Sequence, residues 1–502
     1  MAFVQNLPFI SILLSLFTGP LSVMIDSKKA KYVNMFMITA VGIMSALTLG
    51  FVVSTGEAYV YMMGHFPAPW GNEIRVGVLE AFMATAFCVI MLLCVIAGEK
   101  EREEEIYESK RNLYYVMINL LLCSLIALIY TNDIFNAYVF VEINTIAACG
   151  LIMIRQNGRS LVSATRYMVM SLLGSGLLLL GICFLYDLTG HLLMENIHQE
   201  VLILYSQQEY RIPLLVAIGL ITVGLAVKSA LYPFHTWVPD AYGHSTLSSA
   251  AVLSSLVSKG YIFLVLKIFY RVIGIHVIRD VRIVNILFVF GIIGMIMGSV
   301  GAIREKTIRR MIAYSSVAQI GYIYMGFGLG NDAGIVASVY HILCHALTKS
   351  LLFIAASGIT AVSGKKKDFH SLTGAGFRNP LAGAAFTIAS LSMIGFPLLS
   401  GFISKLWFAQ AALDSSMGKM LPTLAALIIS TVLNAIYFMK TVIRIYTPAP
   451  EMEAERGYIR IKPGEYLKKD IALVVLVILN FVFGIFSSPI IKLIEDGLHM
   501  FG

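Results

Sequence analysis

Residues 223–261 read VGLAVKSALYPFHTWVPDAYGHSTLSSAAVLSSLVSKGY, and the rest of the chain is organised around this stretch. An apolar helix that carries Lys228 is interrupted by Pro233 and Pro239, and a second apolar run carries Lys259. A charge inside a membrane costs about 2.5–3.5 kcal/mol on insertion scales, so such residues are rare and mark functional sites. A broken helix at membrane depth needs protein or water to satisfy its freed backbone groups. Two buried ammonium groups beside a broken helix therefore indicate a polar path across a membrane.

The composition is that of a polytopic membrane protein. The chain has 502 residues, of which 58% are hydrophobic and 13% are charged. Soluble domains carry about 25% charged residues. The net charge of +8 does not indicate a nucleic-acid partner, because the Lys and Arg residues lie in short loops between apolar runs.

The sequence carries no signal for a bound cofactor or metal. Its six cysteines all lie in apolar runs and none forms a CxxC pair, so disulfides, zinc and iron–sulfur clusters are not expected. No Walker A sequence and no Rossmann glycine fingerprint is present. We therefore expect no ATP, NAD or metal site.

The apolar segments predict an all-α polytopic membrane protein with about 14 transmembrane helices, because each segment approaches the ~20 residues needed to span a bilayer. The expected spans are 5–25, 32–54, 75–97, 112–130, 133–154, 162–186, 212–230, 245–271, 283–302, 307–328, 332–361, 381–411, 421–445 and 471–493.

The order of these segments predicts two inverted five-helix repeats, each with a broken helix. The seventh span carries Lys228 and Pro233, and the twelfth carries Gly395, Pro397 and Lys405. Each stands fourth in a group of five, and an odd number of helices per repeat inverts the second copy, as in many transporters. The predicted divisions are three N-terminal helices in 1–111, the repeats in 112–272 and 283–446, and a last helix in 471–502.

The basic loops predict the orientation. Lys and Arg concentrate in the loops after spans 1, 3, 5, 9, 11 and 13, whereas most of the alternate loops carry few. The positive-inside rule then places both termini outside. The loop after the eighth span disagrees, since Arg271, Arg279 and Arg282 lie there.

Glu142 lies deep in the fifth span, in FNAYVFVEINTIA. An isolated carboxylate there would become protonated or would find a cation, and Lys228 is the obvious partner. Two interpretations remain open. The pair only holds two helices together, or its strength controls how readily Lys228 holds a proton.

Two more lysines lie in the apolar runs beside the first break. Lys259 is mid-span, which disfavours snorkelling to the interface, whereas Lys267 is nearer the helix end and is expected to snorkel. Lys405 follows the second helix break.

The groups around the first break, His235, Asp240 and His244, are expected to serve entry or loop anchoring. The charges expected to be solvated in loops are Arg159, Arg309, Arg310 and the run 99–111.

The eleventh span contains HILCHALTK, with His341, His345 and Lys349. Spacings of four place the three side chains on one helical stripe. An HxxxH pair can bind metal, but no carboxylate lies nearby in sequence to complete a site. The remaining interpretations are core histidines bonded to backbone, or a proton relay for which an imidazole is suited.

Several stretches resemble one membrane protein family: KSALYPFHTWVPDAY, RRMIAYSSVAQIGYI, HALTKSLLF and GFPLLSGFISK. They are similar to the proton-pumping antiporter-like subunits of respiratory complex I, Mrp-type cation/proton antiporters and membrane-bound hydrogenases. The resemblance covers roughly residues 110–440. The short C-terminus resembles the shorter subtypes, and FNAYVFVEI resembles the Mrp and hydrogenase branch.

The resemblance implies roles for individual residues. Glu142 and Lys228 look like the family's glutamate–lysine pair, and Lys259 looks like its central lysine. The eleventh-span stripe is similar to the family's polar stripe, and Lys405 resembles its twelfth-helix residue. Departures from the pattern are Tyr242, His244 and Thr246 after the first break, and Thr307 before the tenth span.

The expected function is movement of protons, or exchange of Na⁺ for H⁺, along Glu142, Lys228, Lys259, His341, His345, Lys349 and Lys405 with bridging waters. The expected partners are other membrane subunits of a complex I-like, hydrogenase or Mrp complex in a prokaryotic cell membrane. Two alternatives remain: a secondary antiporter that works alone, and a structural subunit whose lysines only support assembly.

Overall fold

The computed structural model describes residues 2–66, 71–207, 210–448 and 460–501. These residues form a helical bundle with one short antiparallel hairpin, in which Tyr59 pairs with Val76. The first part contains α1 (Ala2–Gln5), α2 (Leu7–Met24), α3 (Ser27–Thr55), β1 (Tyr59–Met62), β2 (Glu73–Val76), α4 (Val78–Ala97), α5 (Glu99–Glu105) and α6 (Arg111–Tyr130).

The middle of the chain runs from α7 to α14. Its helices are α7 (Ile134–Met153), α8 (Gly158–Thr189), α9 (Met194–Gln207), α10 (Arg211–Ser229), α11 (Val238–His244), α12 (Leu247–Val252), α13 (Ser258–Ile268) and α14 (Ile275–Asp280). Two π-helical turns, Leu253–Val257 and Phe269–Ile273, flank α13. Short 3₁₀ turns in the described residues are Met63–His65, Glu108–Lys110, Phe234–Trp237 and His370–Leu372.

The last part runs from α15 to α23. Its helices are α15 (Ile283–Arg304), α16 (Ile308–Leu329), α17 (Asp332–Ala361), α18 (Ala375–Arg378), α19 (Pro380–Ile394), α20 (Ser400–Leu413), α21 (Met417–Ile445), α22 (Leu467–Ile485) and α23 (Ser487–His499).

Each of the 14 expected spans coincides with a helix or a group of consecutive helices. Among the described residues, 11 helices are long and apolar enough to cross a membrane, or 12 if the bent pair α22 and α23 is one span. The other two expected spans coincide with α16 and with the broken pair α19 and α20. The polytopic all-α class is confirmed, whereas the count of 14 and the inverted repeats stay predictions. The last expected span, 471–493, is bent by 77° after Ile485.

Small residues let the spanning helices approach closely. A Cβ added to Gly321 on α16 would lie 2.5 Å from the Met295 backbone nitrogen on α15. On the other side of the bundle, a Cβ on Gly224 of α10 would lie 2.7 Å from the Gly174 carbonyl of α8. Backbone contact through glycine is a usual way for helices to associate in lipid. The lipid is as apolar as the helix surfaces, so close packing rather than a hydrophobic force holds the helices together.

The bundle has two distinct ends. The hairpin face carries β1 and β2, and the chain pairs there through Ile74 and Thr131 and through Asp133 and Leu193. Burial raises the pKa of Asp133, the residue that caps α7 on this face. The opposite end, the α5 face, carries the basic loops.

The run 99–111, expected to be a solvated loop, is solvated only in part: Lys100, Glu103 and Glu104 are exposed, but Arg102 is buried. Residues 99–105 form α5, where the buried guanidinium of Arg102 donates to the Val95 carbonyl at 2.5 Å. Burial by itself would raise the pKa of Glu101, but its ion pair with Lys469 and its hydrogen bond from Ser357 outweigh burial and lower that pKa. The expectation failed in part because α5 packs against α4 and α12, and because Ser357 of α17 and Lys469 of α22 reach its carboxylates.

Two further expectations about charges were wrong. Arg309, expected to be solvated, is 3% exposed in the first turn of α16, where it donates to the Ser245 carbonyl at 3.3 Å. Lys267, expected to snorkel, is fully buried and donates to the carbonyls of Ile129 and Thr131 at the end of α6. Both side chains reach backbone carbonyls that are distant in sequence, so the local pattern of the chain does not reveal these partners.

Candidate ion-translocation site

Glu142 and Lys228 form an ion pair in the bundle. The Nζ atom of Lys228 lies 3.2 Å from Oε1 of Glu142 and donates to Oγ1 of Thr145 at 2.6 Å. The Lys228 side chain is fully buried, whereas 24% of the Glu142 side chain is exposed. Ser175 on α8 donates to the same carboxylate oxygen. The pair expected from the sequence is therefore present, with hydroxyl groups around it.

The first helix break follows Lys228 directly. Helix α10 ends at Ser229, and Ala230 adopts the left-handed conformation with φ +67°. Pro233 lies in the break, as expected. Pro239 does not: it stands in the first turn of α11, a position that suits proline because the N–H there has no helical partner.

Lys259 is buried beside a π-helical turn. The turn Leu253–Val257 immediately precedes α13, and the Lys259 ammonium donates to the Ser254 carbonyl inside that turn. A π turn displaces carbonyls from the regular ladder and is frequent at functional sites. In addition, the Ser255 hydroxyl lies 2.8 Å from the Ser350 hydroxyl on α17. This turn therefore contacts the helix that carries His341, His345 and Lys349.

The stripe expected in the eleventh span lies on α17 and faces the interior. Its three residues, His341, His345 and Lys349, are all buried. Lys349 donates to the Ile312 carbonyl at 2.9 Å and to the Ser315 hydroxyl. The rings of His341 and His345 stack at 5.9 Å between centroids. Neither ring nitrogen of His345 has a hydrogen-bond partner among the described residues, which argues against a merely backbone-bonded core histidine.

Lys405 lies in α20, after the second break. Gly395 and Pro397 both lie between α19 and α20, as expected. The Lys405 ammonium donates to the Ile394 carbonyl at 2.7 Å and to Thr431 at 2.8 Å. Gly395 has φ +98°, and a Cβ there would lie 3.0 Å from the Lys405 side chain. Glycine is therefore needed at this position both for its backbone conformation and for the space that Lys405 occupies.

The lysines and histidines are coupled by charge along the row. Lys259 interacts electrostatically with Lys349 and with His345, and His341 interacts with Lys405. At the other end, the Lys228 ammonium lies 5.9 Å from the ring of Tyr261, two residues after Lys259. In this geometry a proton gained by one group disfavours protonation of the next. We call the seven residues from Glu142 to Lys405 the lysine row.

Several side chains that sequence reasoning missed complete the row. Thr145 binds Lys228, Thr431 binds Lys405, and Tyr322 stacks on His341 with ring centroids 5.5 Å apart. Thr145 lies three residues after Glu142, so helical spacing could have indicated it. Thr431 and Tyr322 come from α21 and α16, and only the packing reveals them.

The polar residues after the first break connect α11 to neighbouring helices. Asp240 forms ion pairs with Arg166 and Arg310, and Arg310 also lies 3.0 Å from Glu305. His244 lies 2.9 Å from the Ser163 hydroxyl. Arg310 was expected to be solvated, but it ties α16 to α11. Within the described ranges, no group of three or more His, Cys, Asp or Glu residues could hold a metal ion.

The chain is similar to known membrane subunits over its full length. It is 30% identical over 504 residues to NADH-quinone oxidoreductase subunit N of Desulforudis audaxviator, covering 97% of each protein. It is 27% identical to the putative antiporter subunit mnhD2 of Staphylococcus aureus, covering 98% of this chain and 94% of that protein.

Solved structures agree with the sequence relatives. A chain of the archaeal membrane-bound sulfane sulfur reductase superposes with a TM-score of 0.87 at 25% identity, covering 100% of this chain and 98% of that one. A chain of the Mrp complex of Dietzia superposes with a TM-score of 0.86 at 23% identity, over 99% and 97% of the two chains, and so shares the fold. The family model for NADH:quinone oxidoreductase/Mrp antiporter transmembrane proteins matches residues 131–433. The chain therefore belongs to this family of multi-pass membrane proteins.

Proposed function

We propose that the chain is a membrane subunit that translocates protons, or exchanges Na⁺ for H⁺, within a multi-subunit redox-driven pump or Mrp-type antiporter. The observation that carries the proposal is the lysine row. Its ionisable side chains run through the buried centre of the bundle from the Glu142–Lys228 pair to Lys405. Buried charges at membrane depth are costly and persist where an ion must pass.

The row moves protons by changing which neighbours are charged. A lysine holds its proton while a carboxylate or carbonyl lies against it and releases the proton when a neighbouring cation approaches. Like charges a few ångströms apart repel by several kcal/mol inside a protein, where an effective dielectric constant of about 20 applies. A proton arriving on Lys259 therefore favours release from Lys349, and the same step repeats toward Lys405.

The second helix break and the π turn supply acceptors for this transfer. The break after α19 presents the Ile394 carbonyl to Lys405, and the π turn before α13 presents the Ser254 carbonyl to Lys259. Irregular backbone at membrane depth is tolerated where it lines a polar cavity. Waters between the lysines would complete the hydrogen-bonded path.

The driving force comes from other subunits in this proposal. Relatives are named as subunits of a quinone oxidoreductase and of an antiporter, and a structural relative belongs to a respiratory complex. We further propose that the α5 face is cytoplasmic in a prokaryotic cell membrane and that both termini lie outside. The concentration of Lys and Arg in the loops of that face supports this orientation.

The test replaces the lysine ammonium groups one at a time in the assembled complex. Lys259→Met and Lys405→Met remove a proton carrier and keep an unbranched side chain. Proton uptake into vesicles, normalised to assembled complex on native gels, should fall at least about tenfold in each. The exposed Lys462→Met is the control and should transport normally.

Wild-type transport in both row variants would overturn the proposal. Reduced assembly with normal transport per assembled complex would favour a purely structural role instead. Exchange of Na⁺ for H⁺ by the purified chain alone would show that it needs no partner subunits.

A further inference from the structure

A second group of ionisable side chains lies apart from the lysine row, beneath the hairpin face. Glu80 on α4, Tyr130 on α6 and Lys267 on α13 are 0% exposed, and Arg271 in the following π turn is 6% exposed. We call these four residues the hairpin cluster. Glu80 interacts electrostatically with each of the other three. The proposed function uses none of them.

Helix capping explains part of this cluster. The Oε2 atom of Glu80 accepts from the Gly77 backbone N–H at 3.2 Å, as the third residue of a helix does in a capping box. The Lys267 ammonium donates to the Ile129 carbonyl at 2.7 Å, at the negative end of α6. These contacts account for one carboxylate oxygen and for the ammonium group.

Capping leaves the remaining polar atoms unexplained. Oε1 of Glu80 and Nη1 of Arg271 are shielded from solvent and lack a hydrogen-bond partner among the described residues. The Tyr130 hydroxyl, with Ser45 beside it, also forms no hydrogen bond of normal geometry in that part of the chain. Each such atom costs about 1–3 kcal/mol when buried dry. Ordered water is the usual partner of buried polar groups that the protein itself leaves unpaired.

The charges of the cluster are close but not in contact. No ion pair of 4.0 Å or less includes Glu80 within residues 2–66, 71–207, 210–448 and 460–501. Yet Lys267 and Arg271 are near enough to act on its charge. A buried carboxylate facing two cations across a gap, with one free oxygen, is an arrangement that water completes.

A polar network leads from the lysine row to Ser124 on α6, the helix that also carries Tyr130. Tyr261, whose ring faces Lys228, donates to Oδ1 of Asn144 at 2.9 Å, and Asn144 donates to the Ser124 hydroxyl at 2.9 Å. Ser124 and Tyr130 both belong to α6, six residues apart, which is about 9 Å along the helix axis. Two or three hydrogen-bonded waters span about that distance.

We propose that the hairpin cluster is a hydrated proton-binding site, with Glu80 as the acceptor, at which the ion path reaches the hairpin face. Water delivers a proton to the Glu80 carboxylate, which becomes a neutral carboxylic acid. Because Lys267 and Arg271 favour the charged form of Glu80, this acid is short-lived; it passes its proton to water on the hairpin face, and the carboxylate is restored. The role in transport rests on the proposed function, whereas the hydration and the proton binding do not.

Two substitutions of Glu80 separate capping from proton binding. Glu80→Gln keeps the oxygen that accepts from Gly77, because Glu and Gln serve equally in a capping box, but it cannot bind a proton. Glu80→Ala removes both properties. In the assembled complex, Glu80→Gln should assemble normally and lose transport at least about tenfold. Glu57→Gln, exposed in the turn after α3, is the control and should behave as wild type.

Normal transport in Glu80→Gln, with poor assembly only in Glu80→Ala, would overturn the proposal and leave a helix cap. The Lys259→Met variant in the same vesicles reports separately on the proposed function. If Lys259→Met is inactive and Glu80→Gln is active, the lysine row stands and the hairpin cluster does not belong to the path.

A second measurement detects the water itself, independently of transport. Hydroxyl radicals generated by an X-ray pulse oxidise buried side chains that adjoin bound water. Tyr130 should be oxidised, whereas Tyr340, equally buried but with its hydroxyl bonded to the Phe483 carbonyl, should not. Absence of label on Tyr130 under conditions that label exposed tyrosines would overturn the proposal.

Discussion

Neutralising Glu142 tests the link between charge and transport most directly. The Lys228 ammonium lies 3.2 Å from the Glu142 carboxylate. At an effective dielectric constant of about 20, two unit charges at that separation attract by about 5 kcal/mol. The Glu142 side chain is 24% exposed, so screening lowers the figure, and about 2–5 kcal/mol is the range to expect. Glu142→Gln removes this attraction and preserves the shape of the side chain.

The matched control is Thr145→Val. It removes the 2.6 Å hydrogen bond to Lys228 and changes no charge, at a cost of about 1.5–3 kcal/mol because the donor is charged. If charge is what matters, Glu142→Gln should reduce proton transport at least about tenfold, and Thr145→Val should reduce it much less. Glu142→Asp, which keeps the charge on a shorter side chain, should restore part of the activity.

The assay uses vesicles that contain the assembled complex and a pH-sensitive dye. Rates are divided by the amount of complex on native gels, so that loss of assembly is not mistaken for loss of transport. Wild-type rates in Glu142→Gln would refute the reasoning. Equal losses in Glu142→Gln and Thr145→Val would also refute it, because the hydrogen bond rather than the charge would then be responsible.

Three further changes should alter the stability of the purified protein in detergent, measured as melting temperature. Burial and Arg309 lower the pKa of Lys367 to about 7. Its charge therefore opposes folding below that pH, and Lys367→Met should stabilise by about 1–2 kcal/mol at pH 6 and by less near pH 10. Gly321→Val should destabilise by about 3 kcal/mol because a Cβ there meets the Met295 backbone. Asp240→Asn should lower the free energy of unfolding by about 1–3 kcal/mol because it weakens the contacts with Arg166 and Arg310. For each variant, an unchanged melting temperature would contradict the prediction.

The positions of the helices could be predicted closely from the sequence. Long apolar runs report the membrane directly, since about 20 residues are needed to cross it whatever the neighbours are. The two breaks were visible for the same local reason: Pro233 and Pro397 cannot continue a helix. Pro239 was misplaced because proline both ends helices and begins them, and its own neighbours do not distinguish the two.

Charges were harder to place. Lys267 and Arg309 were assigned to the interface or to solvent by their distance from helix ends, and both are buried. Each finds a backbone carbonyl more than 60 residues away in sequence. The acidic run 99–105 was misjudged in part, because Arg102 is buried and the lysine that pairs with Glu101 comes from α22.

The sequence by itself determined that this is a many-helix membrane protein with lysines and histidines inside the bilayer, because hydropathy and helical spacing are local properties of the chain. Only the tertiary structure decided which of those groups face one another. The Lys228–Glu142 distance, the π turn at Lys259 and the Glu80 oxygen that no described residue bonds all depend on helices distant in sequence being packed side by side. Ionisable groups act over a few ångströms, and only packing sets distances on that scale.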